Sequence, residues 1–98
     1  MAEEIIARDC EMTISRAEFL RLLPAAVAGA TYEVTDSEIT HGDSRRGWRI
    51  RLDPMADLAH GRIRLPRHRV AFAFNGFAAR EVEAFFRRFD LYFARGGG

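Results

Sequence analysis

From Trp48 to Leu52 the chain alternates large apolar residues with arginine, and the same period of two returns at residues 62–65 and 69–74. Trp48, Ile50 and Leu52 fall on one side and Arg49 and Arg51 on the other, the pattern of a strand with one buried and one wet face. Val70, Phe72 and Phe74 likewise alternate with Arg69, Ala71 and Ala73. A helix turns too fast to gather residues spaced by two on one side, so this half of the chain predicts a sheet. Its connections are too short for crossovers, which makes the sheet antiparallel.

A different period governs the flanks. Ser15 and Glu18 stand at the spacing of a capping box, and Ile14 and Phe19 at that of a hydrophobic staple. They predict a helix from residue 16 to about 23, where Pro24 makes continuation costly. Near the other end Val82, Phe85, Phe86, Phe89, Tyr92 and Phe93 recur three and four apart, predicting an amphipathic helix over 78–94. Cys10, Met12 and Ile14 allow a short first strand. Tyr32 and Val34 begin another, Asp36 and Ser37 supply a turn, and residues 38–41 return with Ile39 inward. Residues 42–47 read as a polar loop.

Two segments carry less regular signals. Asp53 and Pro54 fit an N-cap and a first helical position, so residues 54–60 are expected to form one helical turn ended by Gly61. Met55 and Leu58 would then dip toward the core. Pro66 is expected to bring a longer turn or a bent strand, because proline cannot take the positive φ that a two-residue hairpin favours at its first position. The expected architecture is α+β, a single domain over 1–98 with residues 1–9 and 95–98 frayed. It holds an antiparallel sheet of four to five strands, with an N-terminal and a C-terminal helix packed on one face. Ninety-eight residues with 48% apolar content suffice for a core and exclude disorder.

The net charge of +1 conceals a division. Residues 1–44 carry nine Asp/Glu against three Arg, whereas residues 45–69 carry eight Arg against Asp53 and Asp57. The sequence therefore nominates the outer sheet face around Arg49, Arg51, Arg62 and Arg64, with Arg45, Arg46, Arg67 and Arg69 at its margins. Opposite charge on two halves of one chain suits docking to a protein partner or self-association. The alternative is nonspecific binding of a nucleic-acid phosphate backbone by the same arginines. Outward aromatic residues for base stacking are nearly lacking, and a near-neutral chain falls short of a typical basic binder. Glu33 and Glu38, expected on neighbouring strands, can also neutralise Arg49 and Arg51. Lysine is absent, so a GC-rich, bacterial codon bias accounts for the choice of arginine.

Catalytic chemistry finds little support. Cys10 alternates with Met12 and reads as a small core residue, and Ser15, Ser37 and Ser44 are taken by a cap, a turn and a loop. His41, His60 and His68 lack metal-ligand spacing, and no phosphate-cradling glycine loop appears. No catalytic residue, metal or cofactor is expected. The terminal glycines resemble the ending of ubiquitin-like carriers over three or four residues only. In those carriers the tail leaves a strand, whereas here it follows a helix. The acidic start lacks the features of a signal peptide, and no run approaches the ~20 apolar residues of a membrane span, so a cytoplasmic setting is expected.

Overall fold

The computed structural model describes residues 4–96. It is an α+β fold whose elements are β1 (Ile5–Met12), α1 (Arg16–Ala26), β2 (Glu33–Val34), β3 (Glu38–Gly42), β4 (Gly47–His60), β5 (Ile63–Asn75) and α2 (Ala79–Gly96). The five strands form one antiparallel sheet in the order β1-β5-β4-β3-β2. Ile39, Trp48, Ile50, Leu52, Val70, Phe72 and Phe74 project from one face into a single core with Phe19 and Leu23 of α1 and Phe86, Phe89 and Phe93 of α2. Phe72 sits at its centre, its ring edge-on to Phe86 at 5.1 Å and to Phe89 at 4.9 Å. The other sheet face is open.

The capping box forms by half, the Glu18 carboxylate pairing with Arg21 instead of the Ser15 amide. The Ser15 Oγ accepts the Glu18 N–H at 3.1 Å, and Ile14 and Phe19 are both buried. Pro24 does not end α1. It falls in the last turn, where its missing N–H forfeits only one helical bond, and the helix closes beyond it. Ala28 takes a positive φ of 54°, the Gly29 N–H bonds the Pro24 carbonyl at 2.9 Å, and the Ala28 N–H bonds that of Ala25 at 3.2 Å. That pair of bonds is a Schellman ending, with alanine where glycine is usual.

Three expectations are corrected at the ends and at residues 54–60. Residues 5–9, read as frayed, are the start of β1, because Ile5 and Ile6 pair with Phe74 and Ala73. Residues 95 and 96 continue α2, while residues 1–3 and the terminal Gly97 and Gly98 lie outside the described residues. Residues 54–60 are strand rather than a helical turn, and Leu58 is exposed. β4 runs 14 residues and β5 13, joined by a tight turn of Gly61 and Arg62. Gly61 has φ +63°, the positive value that a type II′ turn requires at its first position.

Both prolines are accommodated because each meets a bare edge. The Leu52 N–H bonds the Ser37 carbonyl at 2.8 Å. Leu52 therefore faces the β3 side, and so, two residues on, does Pro54, where β3 has already ended. Across the turn, His60 and Ile63 form the closing hydrogen-bonded pair, which aims Leu65 at β4 and Pro66 away from it. β1 reaches only to His68, so Pro66 also meets no strand. Neither proline removes a ladder bond, the one setting in which a sheet tolerates it. Strand formation then continues past both, and residues 53–67 extend beyond the core as a two-stranded arm. The molecule measures 49 × 23 × 21 Å as a result.

Candidate interaction surface

The open face takes its residues from β1, β5, β4 and β3, and the register fixes which. Asp9 and Glu11 of β1, Arg69, Ala71 and Ala73 of β5, Arg49, Arg51 and Asp53 of β4, and Glu38 and Thr40 of β3 lie on it together. The arginines here are neutralised from within the chain. Arg49 pairs with Glu4 and, at 3.5 Å, with Glu38. Arg51 pairs with Asp53 at 3.1 Å. The Arg69 guanidinium donates to both oxygens of Asp9, at 2.9 and 3.2 Å. Of the expected partners Glu38 takes part; Arg51 takes its own strand neighbour instead. Between these pairs Ala71 and Ala73 floor a shallow depression of about 230 Å³, bordered by Ile6, Arg49 and Arg51.

The marginal arginines divide. Arg46 is tied down: it donates to Glu81 at 2.6 and 3.1 Å and to the Gly76 carbonyl at 3.1 Å, and lies 4.0 Å over the Phe77 ring. Glu81 in turn accepts the Ala78 N–H at 2.8 Å, which caps α2. Arg46 and that amide together hold the Glu81 carboxyl down at about 2. Arg67 donates to the Ala56 carbonyl at 3.1 Å and stands 3.9 Å from Glu11. The carbonyl belongs to a bulge, since β4 carries one extra residue between Met55 and Leu58. Among the described residues Arg45, Arg62 and Arg64 make no side-chain hydrogen bond or ion pair.

Arg64 does not share a face with Arg49 and Arg51, contrary to the sequence reading. The extra residue lies in β4, so β5 alternates without interruption from Ile63 to Asn75. Ile63 and Leu65 therefore line up with Arg67 and Arg69 on the open face, and Arg64 turns to the helix side. Arg62 stands at the tip, in the turn. The expected break at Pro66 would have reset this parity; an unbroken strand inverts it. Leu58, paired with Leu65, and Ile63 give the arm one apolar face, with exposures of 41%, 38% and 59% for Leu58, Leu65 and Ile63. Sequence reasoning missed this patch because it aimed Leu58 into the core; continuing the β5 alternation back through Pro66 could have found Ile63 and Leu65, whereas Leu58 reaches this face only through the bulge in β4.

The histidines and the cysteine are dispersed. Among the described residues no three His, Cys, Asp or Glu side chains gather as metal ligands. His41 stacks on Trp48 at 5.2 Å, its Nδ1 2.6 Å from the Thr31 carbonyl. His68 is buried, its Nδ1 2.8 Å from the Ile14 carbonyl. A carbonyl only accepts, so Nδ1 carries the proton in both rings. His60 lies on the arm. Burial pushes the Cys10 thiol up, away from the thiolate that nucleophilic chemistry needs. No helix among the described residues is long and apolar enough to cross a membrane. Comparison with protein families, with characterised proteins and with solved structures gave no match, so a role must be argued from geometry alone.

Proposed function

We propose that this chain is a small interaction module without catalytic activity, and that it engages a protein partner through the arm formed by residues 53–67. One observation carries the reading: the arm extends past the core with Leu58, Ile63 and Leu65 exposed and with Arg62 and Arg64 uncompensated. A two-stranded hairpin standing alone is marginal in water, and its apolar side chains gain burial only against something else. By contrast, Arg49, Arg51 and Arg69 already spend their charge inside the fold. The site thus moves from the sheet face nominated by sequence to the tip of its longest hairpin. This reading keeps the cytoplasmic, bacterial setting inferred from composition.

Two immobilised variants test it against wild type in quantitative capture from lysate. Ile63→Ser with Leu65→Ser and Arg64→Glu should lose the proteins that wild type retains, whereas Arg49→Glu with Arg51→Glu should keep them. The opposite pattern would return the site to the sheet face. Retention of nucleic acid instead, falling steeply with salt through counterion release, would replace the protein reading by the phosphate-backbone one.

A further inference from the structure

We propose that the arm's partner is a second copy of this chain, each arm lying along the β1 edge of the other; the proposal rests on the arm being the contact element. The geometry points to it through a step in the sheet edge. β1 covers β5 from His68 to Phe74 and then stops, leaving the arm bare on that side. Six residue steps separate His68 from Phe74, and six separate His68 from Arg62 at the tip. At about 3.3 Å per residue the covered and bare lengths are each about 20 Å. A two-fold axis normal to the sheet at the step therefore drops each β1 into the recess beside the other copy's arm. Each tip then stands next to the other copy's Ile5 and Ile6. Because one operation satisfies both contacts, the assembly closes as a dimer rather than propagating.

The side chains that meet are complementary on both faces. Such an axis keeps the two open faces on the same side. There Ile63 and Leu65 of one copy come beside Ile6 of the other, which is 66% exposed and stands opposite Ala73. On the helix side Arg62 and Arg64 approach the mouth of an apolar groove of about 390 Å³, lined by Ile5, Ala7, Phe74, Phe77, Val82 and Glu83. Glu83 is exposed and has no ion pair among the described residues. The two arginines and this carboxylate are thus uncompensated within one copy and opposed between copies. Pro66 faces the shared edge without an N–H, so side chains rather than a continuous strand ladder make the contact.

Sedimentation equilibrium on the full chain reads the outcome. Wild type should weigh twice the 11.1 kDa of one chain at micromolar concentrations. Ile63→Asp with Leu65→Asp should raise the dimer dissociation constant about tenfold or more. Glu83→Arg should do the same, and Glu83→Arg combined with Arg62→Glu and Arg64→Glu should restore the dimer. Retained Trp48 fluorescence controls for folding in every variant. A second measurement uses Ile6→Cys with Ile63→Cys in a Cys10→Ser background. Ile6 pairs with Ala73, ten residues along β5 from Ile63, or about 33 Å at strand rise, so a disulfide between these positions can form only between copies. Mild oxidation should yield covalent dimer. A wild-type monomer, or a dimer that neither weakens in these variants nor cross-links, would overturn the proposal. A monomer that still captured other proteins through the arm would refute self-docking alone and leave the interaction module standing.

Discussion

Deleting the arm should leave the fold as stable as before. Met55 and Arg67 are a facing pair whose backbone groups point at each other, so an Asn-Gly turn can join them in place of residues 56–66. All eleven deleted residues are exposed. Leu58, Ile63 and Leu65 keep roughly half their area covered, worth about 1 kcal/mol each and about 3 in all. The pairs Leu58 with Leu65 and His60 with Ile63 contribute four ladder bonds, at a net of about 1 kcal/mol apiece. Against that sum of about 7 stands the ordering of eleven backbones, which costs about 11 at the low end of about 1 kcal/mol per residue. The deletion is therefore expected to be neutral or stabilising, by about 4 kcal/mol at this low-end cost. Urea unfolding followed by Trp48, the single tryptophan and buried in the core, measures it. The slope with urea should barely change, since little buried surface is lost. A loss above about 2 kcal/mol at a concentration where wild type is monomeric would refute this reasoning, because it would mean that the arm packs on the body of its own molecule.

Three further outcomes are expected. Phe72→Ala removes the ring at the centre of the aromatic cluster and should cost about 3–5 kcal/mol in the same assay; a cost near 1 would mean that the cluster collapses to fill the gap. Gly76→Ala should destabilise by more than about 1 kcal/mol, because Gly76 has φ +75° and an added Cβ would lie 2.0 Å from the Arg45 carbonyl oxygen. The Glu81 carboxyl is held at about 2 against an ordinary 4.5. Its contribution is thus complete above about 4.5 and lost as pH falls through about 2. Glu81→Gln should flatten the fall of the urea midpoint over that interval, and superimposable pH profiles would show that Glu81 is not responsible.

The elements with one dominant period were legible in the residues: Trp48 to Leu52, Val70 to Phe74 and the stripe from Val82 to Phe93 all behave as their spacing requires. The errors cluster at prolines. Pro24 is read as the end of a helix, Pro54 as the start of a helical turn and Pro66 as a longer turn or a bent strand, whereas α1, β4 and β5 each continue through theirs. In α1 the last turn tolerates the missing donor; in β4 and β5 the neighbouring strand has stopped before the proline arrives. Whether a proline breaks a strand depends on where the adjacent strand ends, a tertiary fact absent from local spacing. The face of Arg64 is misplaced for the same reason, since one misplaced break at Pro66 inverts every side chain between Ile63 and Leu65.

The acidic and basic halves are largely used by the fold itself. Arg69 with Asp9, Arg67 with Glu11 and Arg49 with Glu4 join β4 and β5 to the N-terminal segment, and Arg8 with Asp90, at 2.6 Å, joins β1 to α2. Exposed pairs of this kind are worth only about 0–1 kcal/mol each, so they are poor stabilisers. They do discriminate register, because a slip of β1 by one residue would turn Asp9 and Glu11 to the helix side and leave Arg69 facing Cys10 or Met12. That role ends where β1 ends. Arg62 and Arg64 have no acidic strand beside them, on a hairpin whose two prolines blunt its edges against indiscriminate strand addition. A hairpin protected at its edges yet apolar on one face and cationic at its tip is suited to a partner selected by side chains. Among the described residues, the proposed match in another copy is the Ile5 and Ile6 end of β1, with Glu83 of α2 beside it.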